Sequence, residues 1–155
     1  MVEAFDAGIP EMSAMVKVGI TVLDLNDNPP FFANDTLVFN LPENLPSGSK
    51  VGTIYVTDPD VGANSEVRFK LLNTTADAQF FFIDDSSSAG STVLYTRKEF
   101  DYEVDRREYH LLLRAESDPL RTDAVLIVQL ADVNDNYPII QDFDIIFNQR
   151  MRSEE

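Results

Sequence analysis

Oxygen-bearing side chains are concentrated in two short runs, Asp24-Leu25-Asn26-Asp27-Asn28 and Asp132-Val133-Asn134-Asp135-Asn136. In an extended backbone, alternate residues face opposite ways, so residues 24, 26 and 28 point to one side and residue 27 to the other. Such a segment offers carboxylate and amide oxygens to the units on both sides of it. Hard cations such as Ca²⁺ take about six to eight ligands of this kind. Each run begins like an EF-hand loop, D-x-N-x-N. The sixth position should be Gly but is Pro29 or Tyr137, and the twelfth should be Glu but is Asp35 or Phe143. One contiguous loop is thereby excluded, and the ligands must be gathered from separate segments.

The rest of the composition agrees with a cation and disagrees with other partners. The 155 residues carry 27 acidic and 12 basic side chains, a net charge of −15. A nucleic-acid binder, or a protein held on anionic lipid, needs the opposite sign. Cysteine is absent, which removes disulfides, thiolate metal sites and thiol nucleophiles together. No apolar run is long enough to cross a membrane as a helix, and Met1-Val2-Glu3-Ala4-Phe5-Asp6 has no signal-peptide character. The expectation is an excerpt of a larger protein.

The two runs are copies, 108 residues apart, and a Pro follows each within two residues, Pro29 and Pro138. An alternating segment precedes both: Val18, Ile20 and Val22 before the first, and Leu126, Val128 and Leu130 before the second. Ala4-Phe5-Asp6 has a counterpart in Ala115-Glu116-Ser117. The chain therefore divides into the end of one unit (1–28), a whole unit (29–136) and the start of a third (137–155). The whole unit reads as strands at Leu37–Leu41, Val51–Val56, Val67–Leu71, Phe80–Ile83, Val93–Thr96, Tyr109–Ala115 and Ala124–Leu130. Turn signals separate them at Pro46-Ser47-Gly48, Asp58–Gly62 and Ser86–Gly90. Lys98–Arg107 admits a short helical turn. Seven short strands in this length predict an all-β, seven-strand Greek-key β-sandwich with partial repeats on either side.

The sequence resembles cadherin extracellular repeats, in particular protocadherin-like ones. The residues that carry the resemblance are Pro42-Glu43-Asn44, Asp58-Pro59-Asp60 with Gly62 and Asn64, Phe100-Asp101-Tyr102-Glu103, and both D-x-N-D-N runs. They stand in the family's order, and the likeness covers essentially the whole chain. It implies Ca²⁺ between consecutive repeats. The ligands facing the next repeat would be Glu43, Asp101, Glu103, Asp132, Val133, Asn134, Asp135 and Asn136. Those facing the previous repeat would be Asp24, Asn26, Asp27, Asn28, Asp58, Asp60 and Asn64. The family's late sixth-strand Asp falls on Ser117, with Asp118 beside it as the substitute, whereas the first copy has Asp6 there. The Glu expected 13 residues after Pro138 is Met151, with Glu154 and Glu155 out of register.

The resemblance further implies an extracellular place in a single-pass plasma-membrane protein. The partners would be neighbouring repeats of the same chain and a homophilic or heterophilic cadherin, or another protein, with no nucleic acid and no small-molecule substrate. Calcium-dependent cell–cell adhesion is one reading, and a calcium-stiffened spacer without adhesion is another. Trp is absent, so the family's tryptophan-exchange adhesion does not run through this chain. Asn34-Asp35-Thr36 and Asn73-Thr74-Thr75 are N-glycosylation acceptor triplets. Outward parity on the last two strands puts Leu112, Val125 and Ile127 on one face, a candidate contact surface. A glycoside hydrolase using a carboxylate pair is the rival class. It leaves the grouping of the acids at strand ends unexplained. The single histidine, His110, alternates with apolar neighbours and is expected at the surface, and no nucleophile motif stands near it. The chain is therefore expected not to be an enzyme.

Overall fold

The computed structural model describes residues 1–84 and 90–140. Most of the expected Ser86–Gly90 turn, together with Met151, Glu154 and Glu155, lies outside the described residues. Strands β1 (Val2–Phe5) and β2 (Ser13–Val16) form a separate antiparallel hairpin. One four-stranded sheet runs β3 (Phe31–Phe32), β5 (Lys50–Thr57), β8 (Ser91–Thr96), β7 (Phe81–Ile83). The other runs β4 (Thr36–Pro42), β10 (Leu120–Ala131), β9 (Glu108–Ser117), β6 (Arg68–Leu72). The last strand lies parallel to β4, and the other described pairs are antiparallel. This is the expected β-sandwich, with β4–β10 corresponding to the seven expected strands.

Alternation sets which face is buried. On β9, Tyr109, Leu111, Leu113 and Ala115 face inward, and on β10, Ala124, Leu126, Val128 and Leu130 do. From the opposite sheet Ile54, Phe81 and Leu94 complete the core. Phe81 stacks on Phe100 at 5.5 Å, and Tyr109 meets both rings edge-on. Burial pushes the Tyr109 hydroxyl up, and the carboxylate of Asp105 adds to the shift. Gly52 lets the sheets approach here: a Cβ at that position would lie 2.3 Å from the Phe39 ring. Gly52→Ala is expected to destabilise the fold by about 1.5 kcal/mol through overpacking, read from urea unfolding.

The outward face behaves as its parity requires. Leu112 pairs with Val125, and His110 with Ile127, in adjacent rows. His110 is exposed, with its ring nitrogen 2.8 Å from Glu108. Arg114 grips Asp123 through two hydrogen bonds of 2.7 and 2.8 Å. That grip holds the Asp123 carboxyl below its ordinary value of 3.8. A depressed carboxyl stabilises above its ordinary value and loses that contribution as pH falls through the folded one. The Arg114 Nε–H resonance is therefore expected to stay constant from neutral pH to about 4 and to move below it, and Asp123→Asn abolishes the transition.

Two expectations change. The alternating stretch Lys17–Val22 is not a strand: β2 ends at Val16, and Val18, Ile20 and Val22 are exposed. A strand needs a hydrogen-bonded neighbour and an apolar layer behind it, and the described residues supply neither there. The helical turn between Lys98 and Arg107 narrows to one turn, closed by Asp105 N–H donating to the Asp101 carbonyl at 2.8 Å. β3 is an addition, too short for its pairing with β5 to register as a period.

Candidate metal centre

The acids of the ligand motifs gather at the two ends of β10. That strand has 12 residues, so its ends lie about 40 Å apart.

Where β10 leaves the sandwich, Glu43 follows β4, the 101–105 turn follows Phe100, and Asp132 follows β10. The parallel pairing of β4 with β10 brings Glu43 and Asp132 side by side, and Glu43 N–H donates to the Ala131 carbonyl at 3.1 Å. Glu43 is only 2% exposed. Its two oxygens are each held by a backbone N–H, from Tyr102 at 2.5 Å and Val133 at 2.7 Å. Glu43, Glu103 and Asp132 each offer a carboxylate oxygen, and these oxygens lie within 4.8 Å of one another. Like charges at that separation oppose the fold unless a cation bridges them. Asp101 is not in this trio. Its Oδ1 accepts from the N–H groups of Glu103 and Val104 and so builds the turn that presents Glu103. Asn44 adopts φ 61° in the left-handed region, which Asn tolerates, and its side-chain amide reaches Asp135. Asn136 donates to the other oxygen of Asp135, and Asn134 is exposed.

At the opposite end the first D-x-N-D-N run lies against the loop after β5. Asp24 accepts from Val61 N–H at 3.1 Å and from the Asn64 amide at 2.9 Å. The Asn64 amide first, and Val61 N–H second, hold the Asp24 carboxyl below its ordinary range. Asp60 accepts both the backbone N–H and the side-chain amide of Asn28. Asp58 Oδ1 accepts Asp60 N–H at 3.0 Å, while Asp58 Oδ2 is buried and takes no hydrogen bond among the described residues. Asn26 turns its amide to the carbonyls of Ser117 and Asp118, at 3.1 and 2.9 Å. Ser117 is buried, the Asp118 residue is exposed, and Asp27 accepts from the neighbouring Asn28 amide at 2.8 Å.

The donor chemistry fits Ca²⁺. The sets consist of carboxylates and amides, with no sulfur, and His110 stands elsewhere on β9. Buried carboxylate oxygens are normally paired; the lone Asp58 Oδ2 is the kind of atom a bound cation satisfies. Glu43, Glu103 and Asp132 at one end, and Asp24, Asp58 and Asp60 at the other, are the residues that would hold such ions. Sequence reasoning missed Asn44 as a positioning residue, although it stands in the Pro42-Glu43-Asn44 motif. It also missed Asp77, a buried carboxylate that accepts from the Arg106 guanidinium and from His110 N–H. Asp77 ties the 3₁₀ turn Ala76–Phe80 to β9, and nothing in the local spacing announces it.

The sequence profile of the cadherin domain matches residues 37–131. The chain belongs to the cadherin family. Cadherin relatives agree over most of its length. It is 41% identical over 145 residues to the Protocadherin-like wing polarity protein stan of Drosophila melanogaster, covering 94% of this chain and 4% of that protein. It is 40% identical over 146 residues to the human Cadherin EGF LAG seven-pass G-type receptor 1, covering 94% of this chain and 5% of the receptor. Among solved structures, the extracellular cadherin domains 1-5 of Protocadherin Gamma B2 superpose with a TM-score of 0.74 at 30% identity, over 86% of this chain and 25% of that one. This cadherin chain thus spans about one-twentieth of its curated relatives, which are named as cadherins and receptors rather than enzymes. The human relative is named a seven-pass receptor, in contrast to the single pass expected from sequence.

Proposed function

We propose that this cadherin chain is a calcium-binding extracellular module of a seven-pass adhesion receptor, in which Ca²⁺ at each end of the sandwich fixes the angle between consecutive repeats. The observation that carries this reading is the meeting of Glu43, Glu103 and Asp132 from three separate segments. The proposed repeat runs from 29 to 136, with 1–28 ending the repeat before it and 137–155 beginning the next unit. Its immediate partners are those neighbours in the same chain, and its distal partner is a second cadherin ectodomain.

The physical basis is charge. Nine of the 27 acids, namely Asp24, Asp27, Glu43, Asp58, Asp60, Asp101, Glu103, Asp132 and Asp135, stand in the ligand motifs. Without a cation they repel across each junction, and the repeats swing. With a cation they are bridged, and the junction stiffens. Modules of this class bind with Kd of about 10⁻⁴–10⁻³ M, matched to calcium outside cells. Small-angle scattering on the chain joined to its preceding repeat tests the reading. One extended length in calcium and a broad distribution in chelator are expected; equal flexibility in both contradicts it. Calcium-dependent clustering of beads coated with the ectodomain then separates adhesion from spacing.

A further inference from the structure

A second feature stands away from both acid clusters. Strand β6 is the edge of one sheet and β7 the edge of the other, and each pairs on one side only among the described residues. Between them lies an open groove of about 550 Å³. Phe69, Phe82 and Ile83 supply its apolar surface, and Lys70, Gln79 and Arg97 supply its polar groups. Among the described residues no carboxylate lines it, although the protein has 27. Phe82 stacks on Tyr95 at 5.3 Å, and the Arg97 guanidinium lies 5.1 Å from the centre of the Phe82 ring. The volume falls within the range of about 300–1,000 Å³ that ligand clefts take.

Asn73 also lines this groove, and it is the acceptor of Asn73-Thr74-Thr75. It is exposed in the turn directly after β6. The other triplet stands at the far edge of the same sheet, since Asn34 precedes β4 and the order is β4-β10-β9-β6. We propose that Asn73 carries an N-linked glycan whose first sugars lie in the β6–β7 groove. Sugar rings present apolar C–H faces that suit aromatic side chains such as Phe82. Their hydroxyl and acetamido groups match the donors of Lys70, Gln79 and Arg97. The occupant is tethered to the groove wall, so it fills the groove at a high effective concentration.

The attachment is a simple displacement. Asn73 Nδ2 bonds to the anomeric carbon of a lipid diphosphate-linked oligosaccharide, the carbon–oxygen bond to the diphosphate breaks, and the amide gives up one proton. The leaving diphosphate keeps the electron pair. The triplet needs the hydroxyl of its third residue, and Thr75 Oγ1 is buried in the fold with no hydrogen-bond partner among the described residues. Transfer therefore precedes closure of the Ala76–Phe80 turn.

The proposal rests on the extracellular reading above, because only a chain passing through the secretory route meets the transferase. The test is expression of the chain behind an added signal peptide in cultured animal cells as the parent, Asn73→Gln, Asn34→Gln, Phe82→Ser and the Asn73→Gln/Phe82→Ser double variant, with glycopeptide mass spectrometry and thermal unfolding of the secreted protein. Asn73 is expected to be occupied, and Asn73→Gln is expected to lower the melting temperature by about 4 °C, with little change for Asn34→Gln. In the Phe82→Ser background the loss due to Asn73→Gln should vanish, as coupling between contacting groups requires. A secreted chain with bare Asn73 overturns the proposal and leaves the groove to a peptide strand on the β6 edge. A glycan whose effect on melting is nil, or is unchanged by Phe82→Ser, overturns it as well. A chain that is made but never secreted overturns the extracellular reading, and this proposal with it.

Discussion

Glu43→Ala is expected to lower the unfolding free energy by about 3 kcal/mol in urea titrations, because it strips the acceptors from two N–H groups in one step. Tyr102 and Val133 both donate to this carboxylate, one holding the 101–105 turn and the other the exit of β10. The side chain is almost wholly enclosed, so water does not replace it. Loss of Glu43 also reduces the three-carboxylate group to Glu103 and Asp132. The variant should therefore lose the stabilisation that calcium gives the parent at that end. A site tenfold below the free calcium concentration in Kd adds about 1.4 kcal/mol. Glu43→Gln separates the two effects: it keeps one acceptor oxygen and the volume but removes the charge, so it should retain much of the stability and lose the calcium response.

Asp60→Ala should have the next largest effect, about 2 kcal/mol, and a different signature. Asp60 is 7% exposed and accepts two donors from Asn28, the last residue of the first acid run. Its removal frees the segment that joins the β1–β2 hairpin to the sandwich, while the core packing of β9 and β10 is untouched. Hydrogen exchange should accelerate at Asn28 and Phe31 well beyond any change at Leu113 or Leu126. Uniform acceleration over the whole sandwich would mean that Asp60 supports the fold at large rather than the junction.

The sandwich was legible because period-2 alternation ties sequence to burial directly. Leu111, Leu113 and Ala115 on β9, and Leu126, Val128 and Leu130 on β10, fall on the buried side as their parity demands. The same rule misled at Lys17–Val22, where alternation is present but no partner strand is found among the described residues. Pattern records what a segment is able to pair with, and pairing needs the neighbour. The acid runs were legible through residue type and spacing. How they are held was not, because each contact joins residues far apart in sequence: Asn44 with Asp135, Asn26 with Ser117, Asp24 with Asn64. Those pairings depend on β4 lying beside β10 and on the β9–β10 turn lying over the first run. No local window carries that information. Asp77 escaped notice for the same reason, since its partners, Arg106 just before β9 and His110 on it, lie about 30 residues away.

The most direct test is a calcium titration followed by amide NMR. The backbone N–H groups of Tyr102 and Val133 report on Glu43, and those of Val61 and Asn28 report on Asp24 and Asp60. All four resonances are expected to shift and saturate with Kd of about 10⁻⁴–10⁻³ M while core amides hold still. Four unmoved resonances at calcium tenfold above that range would contradict calcium binding at these sites.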